Sequence, residues 1–226
     1  MIPETIAIDG RDLAVWPADQ RFELLAAPNM GLTDFADCEH YHPQLIASVL
    51  ELEHDPRYRD TIFKGGCGQK VRDPGQWGRA EAQLVEWRAL AFAVKAFGTR
   101  ELFVDEAWAN IYRTGDYCAP HSHLRAVASL VYLVDPGDPV QDDPLGGRLC
   151  FGDPRIPFCC DFEPGRMTRM LMPDLRPGSL LIFPAEFVHS VNPYGGVRPR
   201  ITMSWNISLE RLPGTPGEGW KNPREM

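Results

Sequence analysis

The sequence lacks several features that would assign the protein to a large class. No apolar run approaches the roughly 20 residues that a membrane-spanning helix needs. The first residues show neither the basic start nor the apolar core of a signal peptide. No internal repeat or low-complexity segment occurs. We therefore expect one folded domain over residues 1–226, with no membrane partner.

Acidic residues outnumber basic ones, and the spacing of the cysteines matches neither a zinc site nor a disulfide framework. The chain has 23 Lys and Arg against 31 Asp and Glu, a net charge of −8. This balance argues against a nucleic-acid partner, because the phosphate backbone attracts positively charged surfaces. Six cysteines occur without zinc-site or disulfide spacing, at Cys38, Cys67, Cys118, Cys150, Cys159 and Cys160. We expect reduced thiols that bind no metal, in a cytoplasmic protein.

The first 100 residues have a helical texture. Pro43–Glu53 begins with a proline, which is typical of the first turn of a helix, and has apolar residues at helical spacing. Arg79–Phe97 is rich in Ala, Leu and Glu and is followed by a glycine. Between these stretches, Lys64–Lys70 is glycine-rich and predicts a loop. The pattern indicates a helical support region over residues 1–100.

After residue 100 the sequence consists largely of short runs of β-branched and aromatic residues. Five of them predict strands, namely Leu102–Tyr112, Ala126–Val134, Arg148–Gly152, Ser179–Phe183 and Ile201–Leu209. An acidic loop, Pro136–Gly147, and a long insert, Pro154–Pro177, separate some of these runs. Such strands with Gly and Pro turns indicate a sandwich or barrel. We expect a β core over residues 101–212 braced by the helices, and a tail over 213–226.

Three histidines lie in this β-rich half. His121 and His123 follow a glycine-containing turn, and their i, i+2 spacing places both on one face of a strand. His189 follows an apolar run that predicts a buried strand. Burying the imidazoles unpaired would cost on the order of 1–3 kcal/mol each. Together they predict a metal site of three imidazoles.

The other three histidines serve as a comparison within the same sequence. His40 and His42 have the same spacing as the pair above, but they precede a predicted helix. We interpret both as surface residues at the helix start, and His54 in the same way. His-x-His alone is therefore a weak signal, and the distal His189 is what favours a metal site for the first pair.

The last predicted strand has one polar face. Arg200, Thr202, Ser204 and Asn206 alternate with apolar residues along it. A polar inner face in an apolar barrel indicates a lined pocket. The guanidinium of Arg200 suits a dicarboxylate, because its planar fork binds a carboxylate through two parallel hydrogen bonds.

The ordered motifs resemble those of the 2-oxoglutarate and Fe(II)-dependent oxygenase superfamily, in particular a bacterial branch with prolyl-hydroxylase-like organisation. The motifs run over about residues 100–210. They are Asn110-x-Tyr112-x-x-Gly115, His121-x-His123, Gly146-Gly-x-Leu-x-Phe151, Pro177-Gly178, His189 and Arg200-x-Thr202.

The resemblance implies a fold, cofactors and residue roles. The fold would be a double-stranded β-helix, or cupin-like jelly roll, and the cofactors Fe(II) with 2-oxoglutarate as co-substrate. His121 and His189 would bind the iron, and Arg200 with Thr202 would bind the distal carboxylate of 2-oxoglutarate. Asn110 and Tyr112 are candidates for contacts to the same co-substrate. The implied activity is the hydroxylation of a small-molecule or protein substrate, and a homodimer is left open.

One position departs from the family pattern. His123 stands where the family carries a carboxylate, so three neutral imidazoles would leave the iron at +2. Asp116 and Glu186 are the carboxylates nearest in sequence, but His123 occupies the matching position and is the preferred third ligand. Two other functions remain: a three-His cupin-type dioxygenase that needs no 2-oxoglutarate, and a metal-binding jelly roll without catalysis.

Overall fold

The structure, a computed structural model, describes residues 2–25, 30–60, 68–123, 125–139, 142–152 and 170–209. The strands in chain order are β1 Thr5–Ile8, β2 Arg11–Ala14, β3 Phe22–Leu25, β4 Met30–Asp34, β5 Gln69–Arg72, β6 Phe103–Tyr112, β7 Cys118–His121, β8 Ala128–Asp135, β9 Leu149–Phe151, β10 Ser179–Pro184, β11 His189–Val191 and β12 Arg200–Ser208. The helices are α1 His42–Leu52 and α2 Ala80–Phe97, with short 3-10 turns at Ala36–His40 and Pro74–Gln76.

Two antiparallel sheets form the core of the molecule. The larger has the order β3-β4-β10-β8-β12-β6-β5, and the smaller has the order β7-β11-β9. Many neighbouring strands in these two sheets are not consecutive in sequence, so the chain crosses between them. The fold is a jelly roll of mainly β structure, as predicted. β1 and β2 form a separate hairpin beside α2.

Both predicted helices are confirmed at nearly the expected bounds. Pro43 lies in the first turn of α1, where its missing N–H costs no hydrogen bond. Gly98 ends α2 with a φ of 68°, a conformation that glycine adopts without strain. The helices cover one face of the large sheet through a shared apolar core, which includes Leu45, Val49, Val85, Phe92, Leu130, Tyr132, Met203 and Trp205. The other face of that sheet is therefore free to line a pocket.

All five predicted strands are present, but the N-terminal region also contributes strands. β3, β4 and β5 extend the large sheet at its two edges. The prediction of a loop over Lys64–Lys70 is wrong for its last two residues, because Gln69 and Lys70 belong to β5 and pair with β6. Their side chains, Gln and Lys, lack the β-branched texture by which the other strands were predicted. The division at residue 100 stays a prediction. The predicted tail over 213–226 and most of the insert Pro154–Pro177 lie outside the described residues.

The predicted alternation along β12 is confirmed. Ile201, Met203 and Trp205 pack into the helix-side core. Arg200, Thr202, Ser204 and Asn206 point to the opposite side and line one pocket between the sheets. Because the period of a strand is two, one strand serves both the apolar core and the polar pocket.

The prediction that His42 lies at the surface is wrong. His42 is buried, with its Nε2 2.7 Å from the hydroxyl of Tyr132, and burial lowers the pKa of His42 to about 4. The Tyr132 hydroxyl also lies 2.6 Å from that of Tyr41. His40 and His54 are exposed, as predicted. Sequence alone placed His42 at a helix start but could not show that the sheet covers it.

A buried guanidinium stabilises the packing of the helices on this network. Arg88 of α2 has no exposed surface and donates to both carboxylate oxygens of Asp37, at 2.8 and 2.6 Å. It also donates to the Tyr41 hydroxyl and to the carbonyl of Ala14. A charge buried this completely depends on its partner, since water cannot replace the lost bonds.

We expect Asp37→Ala to lower the free energy of unfolding by about 2–3 kcal/mol. The value lies below that of a fully buried pair because the Asp37 side chain is 25% exposed. Asp174→Ala is the control, since Asp174 pairs with Arg148 at the surface and should change stability by less than about 1 kcal/mol. Urea unfolding of both variants measures the difference, and equal losses would contradict the role of Arg88.

Candidate metal centre

The smaller sheet brings His121 and His189 face to face. His121 ends β7 and His189 begins β11, and the two residues are direct partners across the antiparallel pair. Their ring centroids lie 4.3 Å apart. His123 follows β7, and its backbone N–H donates to the carbonyl of Ala185 at 2.7 Å. This bond holds the third ring close, with its centroid 5.1 Å from that of His121 and 5.2 Å from that of His189.

The three imidazoles form a compact donor cluster. One nitrogen of each ring can be chosen so that all three lie within 4.8 Å of one another. In the part of the chain that the structure describes, no other group of three His, Cys, Asp or Glu side chains meets this condition. Asp116 and Glu186 are outside the cluster. The structure thus brings together the three histidines predicted as ligands, without a carboxylate.

Hydrogen bonds to the ring Nδ1 atoms leave the Nε2 atoms available. His121 Nδ1 lies 2.8 Å from the carbonyl of Ala119, and His189 Nδ1 lies 2.8 Å from the carbonyl of Phe187. A carbonyl only accepts, so both Nδ1 atoms carry the proton. Each Nε2 therefore keeps its lone pair, which is the form that binds a metal.

Burial keeps the three rings neutral. Together with the smaller effect of the neighbouring imidazoles, it lowers the pKa of His123 to about 3 and that of His189 to about 4. Burial also lowers the pKa of His121. Neutral imidazole is the ligand form, so at neutral pH no proton has to leave before a metal binds.

The third histidine contacts the polar face of β12. Its Nδ1 lies 3.2 Å from the side-chain amide of Asn206, and Asn206 accepts a 2.8 Å hydrogen bond from Ser129. Asn206 is buried, so it fixes the ring of His123 against the large sheet. The sequence indicated Asn206 as part of a polar face but not as a partner of His123.

Arg200 lies at the opposite end of the same pocket. It is 5% exposed, and its guanidinium carbon lies 5.4 Å from the ring centroid of Tyr112. Its Nη1 is buried without a hydrogen-bond partner. Burial lowers the pKa of Arg200, yet a guanidinium remains charged at neutral pH. An unpartnered donor on a buried cation is costly unless an anion binds it.

Asn110, Thr202 and Ser204 lie between Arg200 and the histidines. Asn110 Nδ2 lies 3.4 Å from Thr202 Oγ1 and 3.4 Å from Ser204 Oγ, and its Oδ1 accepts a 3.0 Å hydrogen bond from Trp108 Nε1. All four predicted co-substrate residues, Arg200, Thr202, Asn110 and Tyr112, line this one pocket. Their assembly was predicted from motif order, but the network with Trp108 was not.

Three further residues that line the pocket were not predicted from the sequence. Trp108, Lys70 and Cys118 all line it. Trp108 shares the face of β6 with Asn110 and Tyr112, so strand alternation was a signal that could have identified it. The Sγ of Cys118 lies 3.7 Å from His121 Nδ1. Cys38 and Cys150 are free thiols, whereas Cys67, Cys159 and Cys160 lie outside the described residues.

The comparison with protein families identifies this segment. The family model described as "Putative 2OG-Fe(II) oxygenase" matches residues 106–206, which include the three histidines and Arg200. This segment therefore has the sequence pattern of the 2-oxoglutarate/Fe(II) oxygenases. Enzymes of this family are oxidoreductases that use Fe(II) and 2-oxoglutarate. No curated protein sequence matches the chain.

Several solved structures share the fold. The epimerase SnoN, crystallised with Fe3+, alpha ketoglutarate and nogalamycin RO, is 16% identical, with a TM-score of 0.59 over 84% of this chain and 89% of SnoN. A prolyl-4-hydroxylase from Pseudomonas putida is 19% identical, with a TM-score of 0.54 over 80% and 92%. AviO1 from Streptomyces viridochromogenes is 11% identical, with a TM-score of 0.57 over 82% and 92%. At these identities the likeness concerns the jelly roll alone.

The pocket fits both groups that the family uses. Three neutral imidazoles suit iron, although they suit zinc, nickel and copper as well. The unpartnered Nη1 of buried Arg200 suits a carboxylate.

No helix among the described residues is long and apolar enough to cross a membrane.

Proposed function

We propose that His121, His123 and His189 bind one Fe(II) ion and that Arg200 binds the distal carboxylate of 2-oxoglutarate. The observation that carries this assignment is the single pocket that contains both the three-imidazole cluster and a buried cation with an unpartnered donor. The bound metal would supply the oxygen chemistry, in which O₂ converts 2-oxoglutarate to succinate and CO₂, with one oxygen atom entering succinate and the other the hydroxylated substrate.

The protein residues position the co-substrate and exclude water. Arg200 holds the anion at the Tyr112 end of the pocket, and Thr202 adds a hydroxyl on the same face of β12. Asn110 lies midway, within reach of Thr202 and Ser204, and is a further polar contact for the bound dianion. The walls contributed by Leu149, Phe183 and Val191 are apolar, which strengthens each of these electrostatic contacts.

Anaerobic titrations test this proposal. The protein should bind one equivalent of Fe(II), and 2-oxoglutarate should then bind and produce the visible charge-transfer absorption of a 2-oxo acid chelated to Fe(II). On admission of oxygen, succinate should form. Metal binding without 2-oxoglutarate binding would favour the cupin-type dioxygenase. Binding of both without succinate formation would favour a jelly roll without catalysis.

Gly147 controls the placement of Arg200 and gives a further prediction. It has a φ of 67°, and a Cβ at this position would lie 2.9 Å from Arg200 Cδ and 3.0 Å from Tyr194 Cδ2. We expect Gly147→Ala to displace the guanidinium and to weaken 2-oxoglutarate binding about tenfold, the effect of losing one charge-assisted hydrogen bond. Calorimetry with the Fe(II) protein measures it.

Gly98→Ala is the matched control for that variant. Gly98 has a φ of 68°, and a Cβ there would meet no atom within 4 Å. Both variants should lose a similar free energy of unfolding, about 1–2 kcal/mol, because both force alanine into the left-handed region. Only Gly147→Ala should change the affinity for 2-oxoglutarate. An equal affinity in both variants would show that Gly147 does not position Arg200.

A further inference from the structure

Lys70 places a second cation in the pocket, far from Arg200. It lies on the edge strand β5, opposite Asn110 of β6. Its side chain is half-buried, and its Nζ lies 4.4 Å from the ring centroid of Trp108. The ring of Trp108 in turn lies 6.1 Å from that of His123. The ammonium therefore lies at the histidine end of the pocket, against an aromatic wall.

No described residue neutralises this charge. Among the described residues, no Asp or Glu forms an ion pair with Lys70, and none lines the pocket. Glu106 lies on the same strand as Trp108 and accepts a 3.4 Å hydrogen bond from Asn206 at its Oε2, but it forms no ion pair with Lys70. The Trp108 ring attracts the ammonium without cancelling its charge. Lys70 is thus available to an anion that enters the pocket.

The two cations bind different anionic groups because of their separation. Lys70 lies over Trp108 and Arg200 lies near Tyr112, and these two rings are four residues apart on β6. An extended strand advances about 3.4 Å per residue, so the rings are separated by roughly 13 Å along the strand. Under the proposed function, one carboxylate of 2-oxoglutarate occupies Arg200 and the other lies at the metal. Lys70 is left for a different ligand.

The charge of the site favours a second anion. Imidazole binds a metal in its neutral form, so three histidine ligands would cancel none of the charge of a divalent metal. Arg200 and Lys70 add two positive charges, and 2-oxoglutarate supplies only a dianion. The occupied pocket stays positive, more so than with a carboxylate at the position of His123. Such a site attracts acidic ligands and repels cationic ones.

We propose that the substrate of this oxygenase carries an acidic group, a carboxylate or a phosphate, that binds Lys70 beside the face of Trp108. The inference rests on the proposed function, because it assigns Arg200 to the co-substrate. The proposed substrate is an acid with an apolar or aromatic portion. The Trp108 ring covers this portion, and the substrate reaches the metal from the Lys70 side.

Matched pairs of small probes test this inference. The probes are phenylacetate with phenylacetamide, hexanoate with hexanamide, and phenyl phosphate with phenol. Each is titrated by calorimetry, under anaerobic conditions, into the full chain loaded with Fe(II) and saturated with 2-oxoglutarate. Saturation prevents the acids from binding Arg200, and the Lys70 variants below separate binding at Lys70 from binding at the metal. The wild type should bind each acid at least about tenfold tighter than its neutral partner. The two kinds of acid distinguish carboxylate from phosphate.

Two variants assign the effect to Lys70. Lys70→Gln should abolish the preference for acids, whereas Lys70→Arg should keep it, because it keeps the charge. Equal binding of acids and neutral partners by the wild type, or no binding of either, would overturn the inference. Weaker 2-oxoglutarate binding in Lys70→Gln would also overturn it, since Lys70 would then belong to the co-substrate. Failure of the wild type to bind Fe(II) or 2-oxoglutarate would instead refute the proposed function itself.

Discussion

Arg200→Ala should weaken the binding of 2-oxoglutarate by roughly 2–5 kcal/mol, the range for truncating one member of a buried charge pair. Arg200 is 5% exposed and its Nη1 has no other partner, so the variant would leave the carboxylate in a buried site without its charged partner. The content of Fe(II) should be unchanged, because Arg200 is not part of the three-histidine cluster. Calorimetric titration of 2-oxoglutarate into anaerobic Fe(II) protein measures the loss.

An exposed arginine provides the control for this experiment. Arg57 is 73% exposed and pairs with Asp55 at the surface, so Arg57→Ala should leave the 2-oxoglutarate affinity at the wild-type value. Arg200→Lys should recover part of the affinity, because lysine keeps the charge but loses the two parallel hydrogen bonds. Equal affinities in the wild type and Arg200→Ala would remove Arg200 from the site.

Single replacement of His121, His123 or His189 by alanine should weaken Fe(II) binding by more than about 100-fold. Even partners outside the ligand shell are worth about 10–100-fold in metal affinity, so loss of a ligand should cost more. Elemental analysis after dialysis measures the metal content. In the wild type, X-ray absorption should give nitrogen–metal distances of about 2.0–2.3 Å.

His54→Ala serves as the control for the ligand variants. The His54 side chain is 78% exposed and is outside the cluster, so its loss should leave the metal content unchanged. His123 is the decisive position of the three, because it replaces the carboxylate of the family pattern. Stoichiometric Fe(II) in His123→Ala would show that two histidines suffice and that His123 is not a ligand. Circular dichroism checks that each variant is folded.

The sequence predicted the parts of the site whose signal is local. Strand alternation placed Arg200, Thr202, Ser204 and Asn206 on one face of β12, because the side-chain period of a strand is fixed. The i, i+2 spacing placed His121 and His123 together for the same reason. The two helices were predicted from periodicity and from Pro43 and Gly98, which act on the backbone at their own positions.

Long-range pairing decided what local signals could not. The edge strand β5 has a polar sequence, so its membership in the large sheet depends on pairing with β6 rather than on its own propensity. Lys70 thereby reaches Trp108 from a segment predicted to be a loop. His42 was misplaced for a related reason, since only the packing of α1 on the sheet brings it to the Tyr132 hydroxyl.

By itself the sequence determined that this protein is a jelly roll with three histidines and an arginine in the order typical of a 2-oxoglutarate/Fe(II) oxygenase. The tertiary structure decided that His189 meets His121 across β7 and β11, that Asn206 fixes His123, and that Arg200 is buried with an unsatisfied donor. The physical reason is that residue order and periodicity set which way a side chain points from its own strand. Only the pairing of strands distant in sequence sets which side chains meet and which remain without a partner.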